Sequence, residues 1–252
     1  MVNPPEGYKP AGWEPAGTVA GAPAGDGGFT PGLMLRTPQF YAIWSVFAFS
    51  AIAGLMVIYC IQLFGMDALT FKGLENAVAI TGTAMAWYAI FNGLGRIAWG
   101  MISDRIGRKA AIIAMSALQG IVMLALYHGF ISFGLASGLI IGASLVGFNY
   151  GGIFALFPAI TADYFGNKQV GRNYGWVFTA YGLAGIVGPL LAGMFKDSAV
   201  VAGYPKVWMA PFIIAGAACL LGALIMAFTK APDTPRQATV AEPEQELILE
   251  EV

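Results

Sequence analysis

Charge is the scarcest property of this sequence. Only 11% of its 252 residues are Asp, Glu, Lys or Arg, compared with about 25% in soluble domains. The net charge is −1, so the composition indicates no nucleic-acid partner. The two cysteines, Cys60 and Cys219, lie in long hydrophobic stretches that contain no Asp or Glu, and the chain has one histidine, so neither a nucleophile with its base nor a metal cluster can be assembled. We therefore expect neither an enzyme nor a protein that binds a metal or cofactor.

What the sequence has instead is long hydrophobic runs. Hydrophobic residues make up 58% of the chain, and a helix needs about 20 mostly apolar residues to cross the hydrocarbon core of a bilayer. Six stretches meet this requirement, at residues 39–64, 77–101, 110–128, 133–160, 174–195 and 207–229. We therefore predict an all-α integral membrane protein that is surrounded by the lipid bilayer, with one six-helix domain over residues 38–230.

The two ends of the chain differ from the spans in composition. Residues 1–37 are rich in proline and glycine, which predicts a disordered cytoplasmic linker, and residues 231–252 form an acidic tail. Of the 13 basic residues, one lies within a span, three lie on one side of the predicted membrane and nine lie on the other. Because loops rich in Lys and Arg stay in the cytoplasm, we predict a multi-pass protein of the cell membrane with both termini cytoplasmic.

Two of the predicted spans contain stripes of glycine. The fourth span carries Gly134, Gly138, Gly142, Gly147 and Gly151. The fifth span carries Gly182, Gly185, Gly188 and Gly193. Helices pack closely in lipid where small residues meet, so we expect both stripes to lie at tight helix crossings.

The stretch between the second and third spans carries a recognisable pattern. Residues 100–109, GMISDRIGRK, match G-x-x-x-D-R-x-G-R-[KR] and resemble the signature loop of the major facilitator superfamily. The resemblance implies a gating and hinge role for Gly100, Asp104, Arg105, Gly107, Arg108 and Lys109. The residues themselves also fit a simpler alternative, in which the glycines permit a tight turn and the basic side chains hold it on the cytoplasmic face.

Further segments narrow the resemblance to one family within that superfamily. The chain is similar to the second half of oxalate/formate antiporters at PPEGY near its start and at residues 37–44, 53–58, 91–109 and 172–193. The resemblance implies a linker followed by helices seven to twelve, and a half of this fold consists of two inverted three-helix repeats. Because the transport path lies between two such halves, we expect a six-helix N-terminal half, or a second copy of this chain, as partner.

Arg96 is the one Lys, Arg, Asp or Glu residue within a predicted span. An arginine at the centre of a span costs at least about 2.5–3.5 kcal/mol. Its side chain either extends to the nearby end of the span or faces a central path and binds a carboxylate. Tyr88, Asn92 and Arg96 recur at four-residue steps, which favours one polar helix face. The resemblance implies that this arginine contacts the substrate, and we expect the same here.

The resemblance also bears on the kind of anion. It implies a lysine in the fifth helix of the half for dicarboxylates, whereas this sequence has Tyr181 at the matching position. One cation would leave a second carboxylate unpaired at a site of low dielectric constant. We therefore predict a small monocarboxylate as substrate, with Tyr181 as a hydrogen-bond donor. Asn149 and Tyr150 in the fourth span either line the path or bond to a neighbouring helix.

These observations favour secondary transport by alternating access. An empty carrier would have to reorient with an unpaired cation, which favours exchange of one anion for another. No G-x-x-x-x-G-K-[ST] sequence is present, which argues against transport driven by ATP. Two alternatives stay open: a non-transporting fragment or accessory membrane subunit, and a homodimeric six-helix carrier.

Overall fold

The computed structural model describes residues 28–127, 136–202 and 208–233. Most of the predicted linker and acidic tail therefore lies outside the described residues. Within them the chain is helical and contains no strand. The helices are α1 (Pro31–Met34), α2 (Pro38–Phe71), α3 (Ala77–Ile106), α4 (Arg108–Ala125), α5 (Ala136–Phe165), α6 (Val170–Ala202) and α7 (Met209–Phe228). Helices α2 to α7 are each long and apolar enough to cross a membrane, which confirms the six predicted spans and the all-α membrane class.

Three helices extend well beyond the predicted spans. Helix α2 ends at residue 71 rather than 64, α3 at 106 rather than 101, and α5 at 165 rather than 160. Hydropathy marks only the part of a helix that lies in hydrocarbon, whereas the helix itself continues until its backbone is interrupted. Glycines with positive φ follow all three helices: Gly73 (76°), Gly107 (87°) and Gly166 (85°). Residues with a side chain avoid this conformation, so glycine determines where these helices end.

The packing of the first three spans repeats in the last three. Helix α3 packs along α5, α6 packs along α2, and α4 and α7 pack against each other. Exchanging α2 with α5, α3 with α6 and α4 with α7 leaves this pattern unchanged. Because α2 and α5 run in opposite directions, the two groups of three are related as inverted repeats, as the resemblance implied.

Helices α3 and α5 approach each other so closely that their backbones touch. A Cβ atom added at Gly95 of α3 would lie 2.0 Å from a carbonyl oxygen of α5. Cβ atoms added at Gly147 and Gly151 of α5 would lie 2.4 and 2.1 Å from carbonyl oxygens of α3. No side chain fits at these distances, so glycine is required at this crossing. The close packing expected of the fourth span is confirmed at these two positions, whereas Gly134 lies outside the described residues.

The glycines of the fifth span are packed less closely than those of the fourth. A Cβ atom at Gly182, Gly185 or Gly193 would meet no atom within 4 Å, whereas one at Gly188 would lie 3.2 Å from backbone atoms of α2. The expected tight crossing is therefore wrong at three of these four glycines within the described chain. The reason is that α6 and α3 lie at the outside of the group. Only 28% and 22% of their most apolar stretches are buried, compared with 67% for α2 and α5.

Both helices expose apolar side chains, which we together call the α3–α6 surface. It is defined by Ile90, Leu94 and Ile97 of α3 and by Leu183, Ile186 and Leu190 of α6, which are all exposed. In a membrane such side chains contact either lipid or another protein helix.

The chain before α2 is ordered from Gly28 onward, which corrects the prediction of disorder through residue 37. The Phe29 amide donates a hydrogen bond to the carbonyl oxygen of Phe165 at 2.8 Å, and the Asn173 side chain donates to the Phe29 carbonyl oxygen at 2.9 Å. The Phe29 ring packs edge-on against Phe165, and Asn173 is fully buried. We call this contact the Phe29 clasp. Composition did not reveal it because it rests on one ring and two hydrogen bonds in a segment otherwise rich in glycine and proline.

Replacing Gly151 with alanine tests the crossing of α3 and α5. The added Cβ would lie 2.1 Å from the carbonyl oxygen of Asn92, so the helices must move apart. We expect the free energy of unfolding to fall by about 1–3 kcal/mol. Gly182→Ala is the matched control, because open space surrounds that position and alanine favours a helix over glycine. Unfolding of both variants, followed by circular dichroism, measures the difference, and equal effects would contradict the crossing.

Candidate functional site

Arg96 lies on α3 with its side chain exposed. Its Nε atom donates a hydrogen bond to Oδ1 of Asn92 at 3.3 Å, and its guanidinium carbon lies 4.7 Å from the centre of the Phe154 ring on α5. The helix continues to Ile106, about 15 Å further along its axis, and Asn92 lies one turn further from that end. The bond to Asn92 therefore directs the guanidinium away from the nearer helix end, and the Phe154 contact holds it close to α5.

Phe154 belongs to an aromatic cluster on α5 and α6. Tyr150 and Tyr181 pack against its ring with centroid distances of 5.4 and 5.5 Å. The Tyr150 hydroxyl donates a hydrogen bond to the Tyr181 hydroxyl at 2.9 Å. The structure thus brings together Arg96, Tyr150 and Tyr181, all predicted from the sequence, through Phe154, which was not predicted. The available signal for Phe154 was its four-residue spacing from Tyr150, which places the two rings on one helix face.

The Arg96 guanidinium has no salt bridge among the described residues. The acids nearest to the ends of α3 and α5, Asp104 and Asp163, pair instead with Arg108. Within the described chain the only hydrogen bond of Arg96 is the one from Nε to Asn92. Its two terminal amino groups are therefore available to an acceptor. A guanidinium that lies over a ring with these amino groups open can bind a carboxylate through two parallel hydrogen bonds.

Tyr88 does not share the exposed face of Arg96, which corrects the predicted polar stripe. Its side chain is 2% exposed, and its hydroxyl donates a hydrogen bond to the carbonyl oxygen of Gly54 on α2 at 3.3 Å. Each four-residue step turns an α-helix by about 40°, because a turn contains 3.6 residues. Two such steps separate Tyr88 from Arg96, so Tyr88 faces the interior. Asn92 lies between them and is half-buried.

Asn149 bonds to a neighbouring helix. It is 1% exposed, and its Oδ1 atom accepts a hydrogen bond from the indole nitrogen of Trp99 on α3 at 3.3 Å. Of the two alternatives that the sequence left open for this residue, the described geometry matches the helix–helix bond. Tyr150, one residue further on, also bonds to a neighbouring helix through Tyr181 of α6, and it lies in the aromatic cluster beside Arg96.

The signature motif forms a charged cluster at the junction of α3 and α4. Nη1 of Arg108 lies 2.6 Å from Oδ1 of Asp104, and its Nε lies 3.9 Å from Oδ2 of Asp163 at the end of α5. Arg108 also donates a hydrogen bond to the buried Ser103 hydroxyl. Ser103 and Asp163 were not predicted. The sequence feature that could have indicated Asp163 is its position: it is an isolated acid just after a span, on the side of the membrane where most basic residues lie.

The motif itself is not a loop, contrary to expectation. Gly107 alone separates the two helices, and its φ of 87° permits the abrupt turn. Gly100 lies inside α3, where an added Cβ would make only an ordinary contact at 4.0 Å, so the turn does not depend on it. Arg108 begins α4. Arg105 and Lys109 form no salt bridge among the described residues.

Most of the chain matches a known protein family. The family model of the Major Facilitator Superfamily matches residues 40–250. The chain belongs to this superfamily. With six helices of membrane length, this superfamily member is a multi-pass membrane protein, and the resemblance of its signature motif is confirmed.

Curated relatives within the superfamily are longer than this chain. The chain is 33% identical to the oxalate:formate antiporter of Oxalobacter formigenes over 163 residues, which are 65% of this chain and 37% of that protein. It is 28% identical to apicoplast pyruvate carrier 1 of Toxoplasma gondii over 55% of this chain and 25% of the carrier. It is 27% identical to monocarboxylate transporter 14 of Homo sapiens over 62% and 29%, respectively. The chain thus spans between a quarter and two-fifths of the length of these relatives.

Asn149→Ala tests whether this asparagine bonds to a helix rather than to a transported anion. The change leaves the buried Trp99 indole nitrogen without its acceptor, and we expect the free energy of unfolding to fall by about 1–2 kcal/mol. Asn92→Ala is the control, because Asn92 is half-buried and bonds to Arg96 on its own helix. There we expect a change below about 0.5 kcal/mol. If Asn149→Ala unfolded like the parent but altered anion binding, Asn149 would line the path.

Proposed function

We propose that this chain is one half of a secondary transporter that moves a small organic anion, preferably a monocarboxylate, across the cell membrane. The observation that carries the proposal is the Arg96 guanidinium, which lies on a membrane-length helix without a salt bridge among the described residues. A charge in that position costs several kcal/mol unless an opposite charge pairs with it. A substrate anion would supply that charge.

The names of the relatives support the class of substrate. The three relatives compared above are named for oxalate and formate, for pyruvate, and for monocarboxylates. Each of these molecules carries a carboxylate, which a guanidinium binds through two parallel hydrogen bonds. We assign this role to Arg96, with Asn92 holding its Nε edge and with the Tyr150 and Tyr181 hydroxyls as nearby hydrogen-bonding groups.

The charges at the site favour one carboxylate rather than two. Tyr181 stands where the family resemblance implies a lysine for dicarboxylates, and its hydroxyl is bonded to Tyr150. The second carboxylate of oxalate would therefore face a tyrosine pair and the Phe154 ring, which are weak substitutes for a cation. Formate, pyruvate and lactate place a single charge at Arg96 and avoid this cost.

The same cation favours exchange over one-way transport. When the site is empty, reorientation would carry Arg96 through the membrane without a counter-charge, because none of the described carboxylates contacts it. A bound anion removes this cost in both directions. Loaded reorientation would then outpace empty reorientation, and the carrier would exchange one anion for another.

The α3–α6 surface supports a second six-helix unit as partner. Gly82 and Gly93 on α3 and Gly182 and Gly185 on α6 have open space around them, although small residues in membrane helices commonly lie at helix contacts. Arg96 sits on one of these helices and the aromatic cluster reaches the other. A unit packed there would enclose the site. We propose an N-terminal half as that unit, with a second copy of this chain as the alternative.

The charged cluster at the α3–α4 junction would act as the cytoplasmic gate. Arg108 ties this junction to Asp163 at the end of α5, so any movement of α3 relative to α5 must strain or break that contact. The excess of basic residues at this end supports a cytoplasmic location. The chain enters α2 and leaves α7 at this same end, which supports a cytoplasmic location for both termini as well.

Arg96→Gln tests the anion site in the purified full chain, alone and co-expressed with a candidate N-terminal half. We expect one monocarboxylate to raise the unfolding temperature of the complex and Arg96→Gln to weaken that binding at least about tenfold, because a charge-assisted hydrogen bond contributes about 1.5–3 kcal/mol. Arg105→Gln is the matched control, since it removes the same charge from the same helix near its end. A thermal-shift titration with formate, pyruvate, lactate and oxalate measures both.

Each other outcome of this titration has a defined meaning. Equal loss in Arg96→Gln and Arg105→Gln would show that net charge, rather than this site, attracts the anion. Binding by the chain alone, with dimers in solution, would favour the homodimeric carrier. No stabilisation with any partner would leave a non-transporting fragment or accessory subunit as the better account.

Tyr181→Lys tests the charge argument for a monocarboxylate. A second cation near Arg96 would pair with a second carboxylate, so we expect the affinity for oxalate relative to formate to rise at least about tenfold. Tyr181→Phe is the control, because it removes the hydroxyl without adding charge and should leave the preference within about threefold. Competition binding to the assembled carrier gives the ratio. An unmodified protein that prefers oxalate would contradict the argument directly.

A further inference from the structure

A cleft lies where α3 meets α4, beside the ends of α5 and α7. Its volume is about 550 Å³. Apolar side chains of Ile106, Ile113 and Ala227 form part of its wall, and Arg108, Lys109 and Asp163 supply its charges. Anion binding at Arg96 makes no use of this cleft.

The cleft has the character of a membrane interface. It lies at the ends of helices that are long enough to cross a bilayer, so its apolar wall continues into the hydrocarbon and its charges lie where water begins. Ile106 is 51% exposed next to those charges. Tyr164 also lines the cleft, and tyrosine is enriched at the level of lipid headgroups.

One cation in the cleft has no partner among the described residues. Arg108 is already shared between Asp104 and Asp163, whereas Lys109 forms no salt bridge within the described part of the chain. Helix α4 begins at Arg108, and no described side chain caps its first turn. The first amides of a helix have no partner within it and carry partial positive charge. Lys109 and these amides therefore favour an anion at the same place.

The surrounding surface is also basic. Among the described residues, the chain ends on this side of the helices carry the bases Arg36, Arg105, Arg108, Lys109, Lys168, Arg172 and Lys230, and the acids Asp104, Asp163 and Asp233. Seven bases against three acids attract an anionic surface, and basic pockets between membrane helices bind anionic lipid headgroups.

We propose that this cleft binds the headgroup of an anionic phospholipid. Lys109 and the first turn of α4 contact the phosphodiester, and the apolar wall contacts the glycerol and the upper acyl chains. The inference goes beyond the proposed transport function and rests only on the helices, on the cleft and on the side of the membrane predicted from the charges. A soluble phosphate is the less favoured occupant, because it would leave the apolar wall uncovered.

A second cleft provides an internal comparison. It lies between α2 and α7 at the same end of the chain, has a volume of about 540 Å³ and also contains one lysine, Lys230. The helix that begins there, however, is capped: the Thr37 side chain accepts a hydrogen bond from the amide of Phe40 at 3.3 Å. The two clefts therefore match in size and each contains one lysine, but they differ in the free helix terminus and in the Arg108–Asp163 pair.

The experiment measures lipid binding to the purified full chain by native mass spectrometry, with phosphatidylglycerol as probe and phosphatidylcholine as reference. We expect a preference for phosphatidylglycerol that Lys109→Gln weakens about fivefold, the effect of one basic residue near a lipid surface. Lys230→Gln should weaken it less than twofold. Asp163→Asn should strengthen binding, because it removes repulsion of the phosphate and one competitor for Arg108. Circular dichroism checks that each variant keeps its helices.

Three results would overturn the proposal. Equal losses in Lys109→Gln and Lys230→Gln would mean that the lipid responds only to general charge at this end. Weaker binding in Asp163→Asn would mean that the carboxylate contacts a headgroup ammonium, as in a zwitterionic lipid. Competition by glycerol 3-phosphate as strong as that by the lipid would identify a soluble phosphate site. None of these measurements involves Arg96 or a transported carboxylate, so their failure is separate from failure of the transport proposal.

Discussion

The contact between the backbones of α3 and α5 determines the rest of this structure. Gly95 lies against a carbonyl oxygen of α5, and Gly147 and Gly151 lie against carbonyl oxygens of α3. The next residue along α3 is Arg96, and three residues beyond Gly151 is Phe154. The helix spacing that only glycine allows thus brings a guanidinium to within 4.7 Å of a ring centre. Wider spacing would leave the arginine without the surface that orients it.

Glycine has a different role in α6 than in α5. The space beside Gly147 and Gly151 of α5 is filled by neighbouring backbone, whereas Gly182, Gly185 and Gly193 of α6 face open space. Lipid tails are as apolar as leucine, so hydrophobicity alone does not drive helices together. What distinguishes the two stripes is whether a partner helix is present in this chain. The buried pair α2 and α5 therefore forms the core of the unit, and the exposed pair α3 and α6 carries Arg96, Tyr181 and the unfilled space.

Much of the architecture was predictable because long apolar runs leave a chain few alternatives in a membrane. The six spans, the motif and the grouping of Arg96 with Tyr150 and Tyr181 followed from the sequence and the resemblance. The helix ends could not be predicted, because hydropathy falls at the edge of the hydrocarbon, whereas α3 continues to Ile106, immediately before Gly107. The sequence did not predict the orientation of Tyr88, and it left two alternatives open for Asn149. Spans that are apolar all round give no amphipathic pattern from which to read which side faces the interior.

Residues outside the spans were the least predictable part of the chain. The signature motif correctly predicted that Asp104 and Arg108 lie together. The second partner of Arg108, Asp163, lies at the end of another helix, 59 positions after Asp104. Phe29 and Asn173 are separated by 144 positions. Contacts of this kind depend on where helices end in space, and the sequence determines those ends through single glycines rather than through composition.

The Phe29 clasp also changes what counts as the start of the folded unit. By hydropathy the domain begins at α2, and a chain shortened to Thr37 would keep all six spans. It would nevertheless lose the acceptor of the Asn173 side chain, which is fully buried at the first turns of α6. In a chain that begins at Thr37, the buried Asn173 side-chain amide would have no acceptor at the start of α6, the helix that carries Tyr181. The segment that precedes the first span therefore supports α5 and α6, and a force applied to it would reach these two helices before α2.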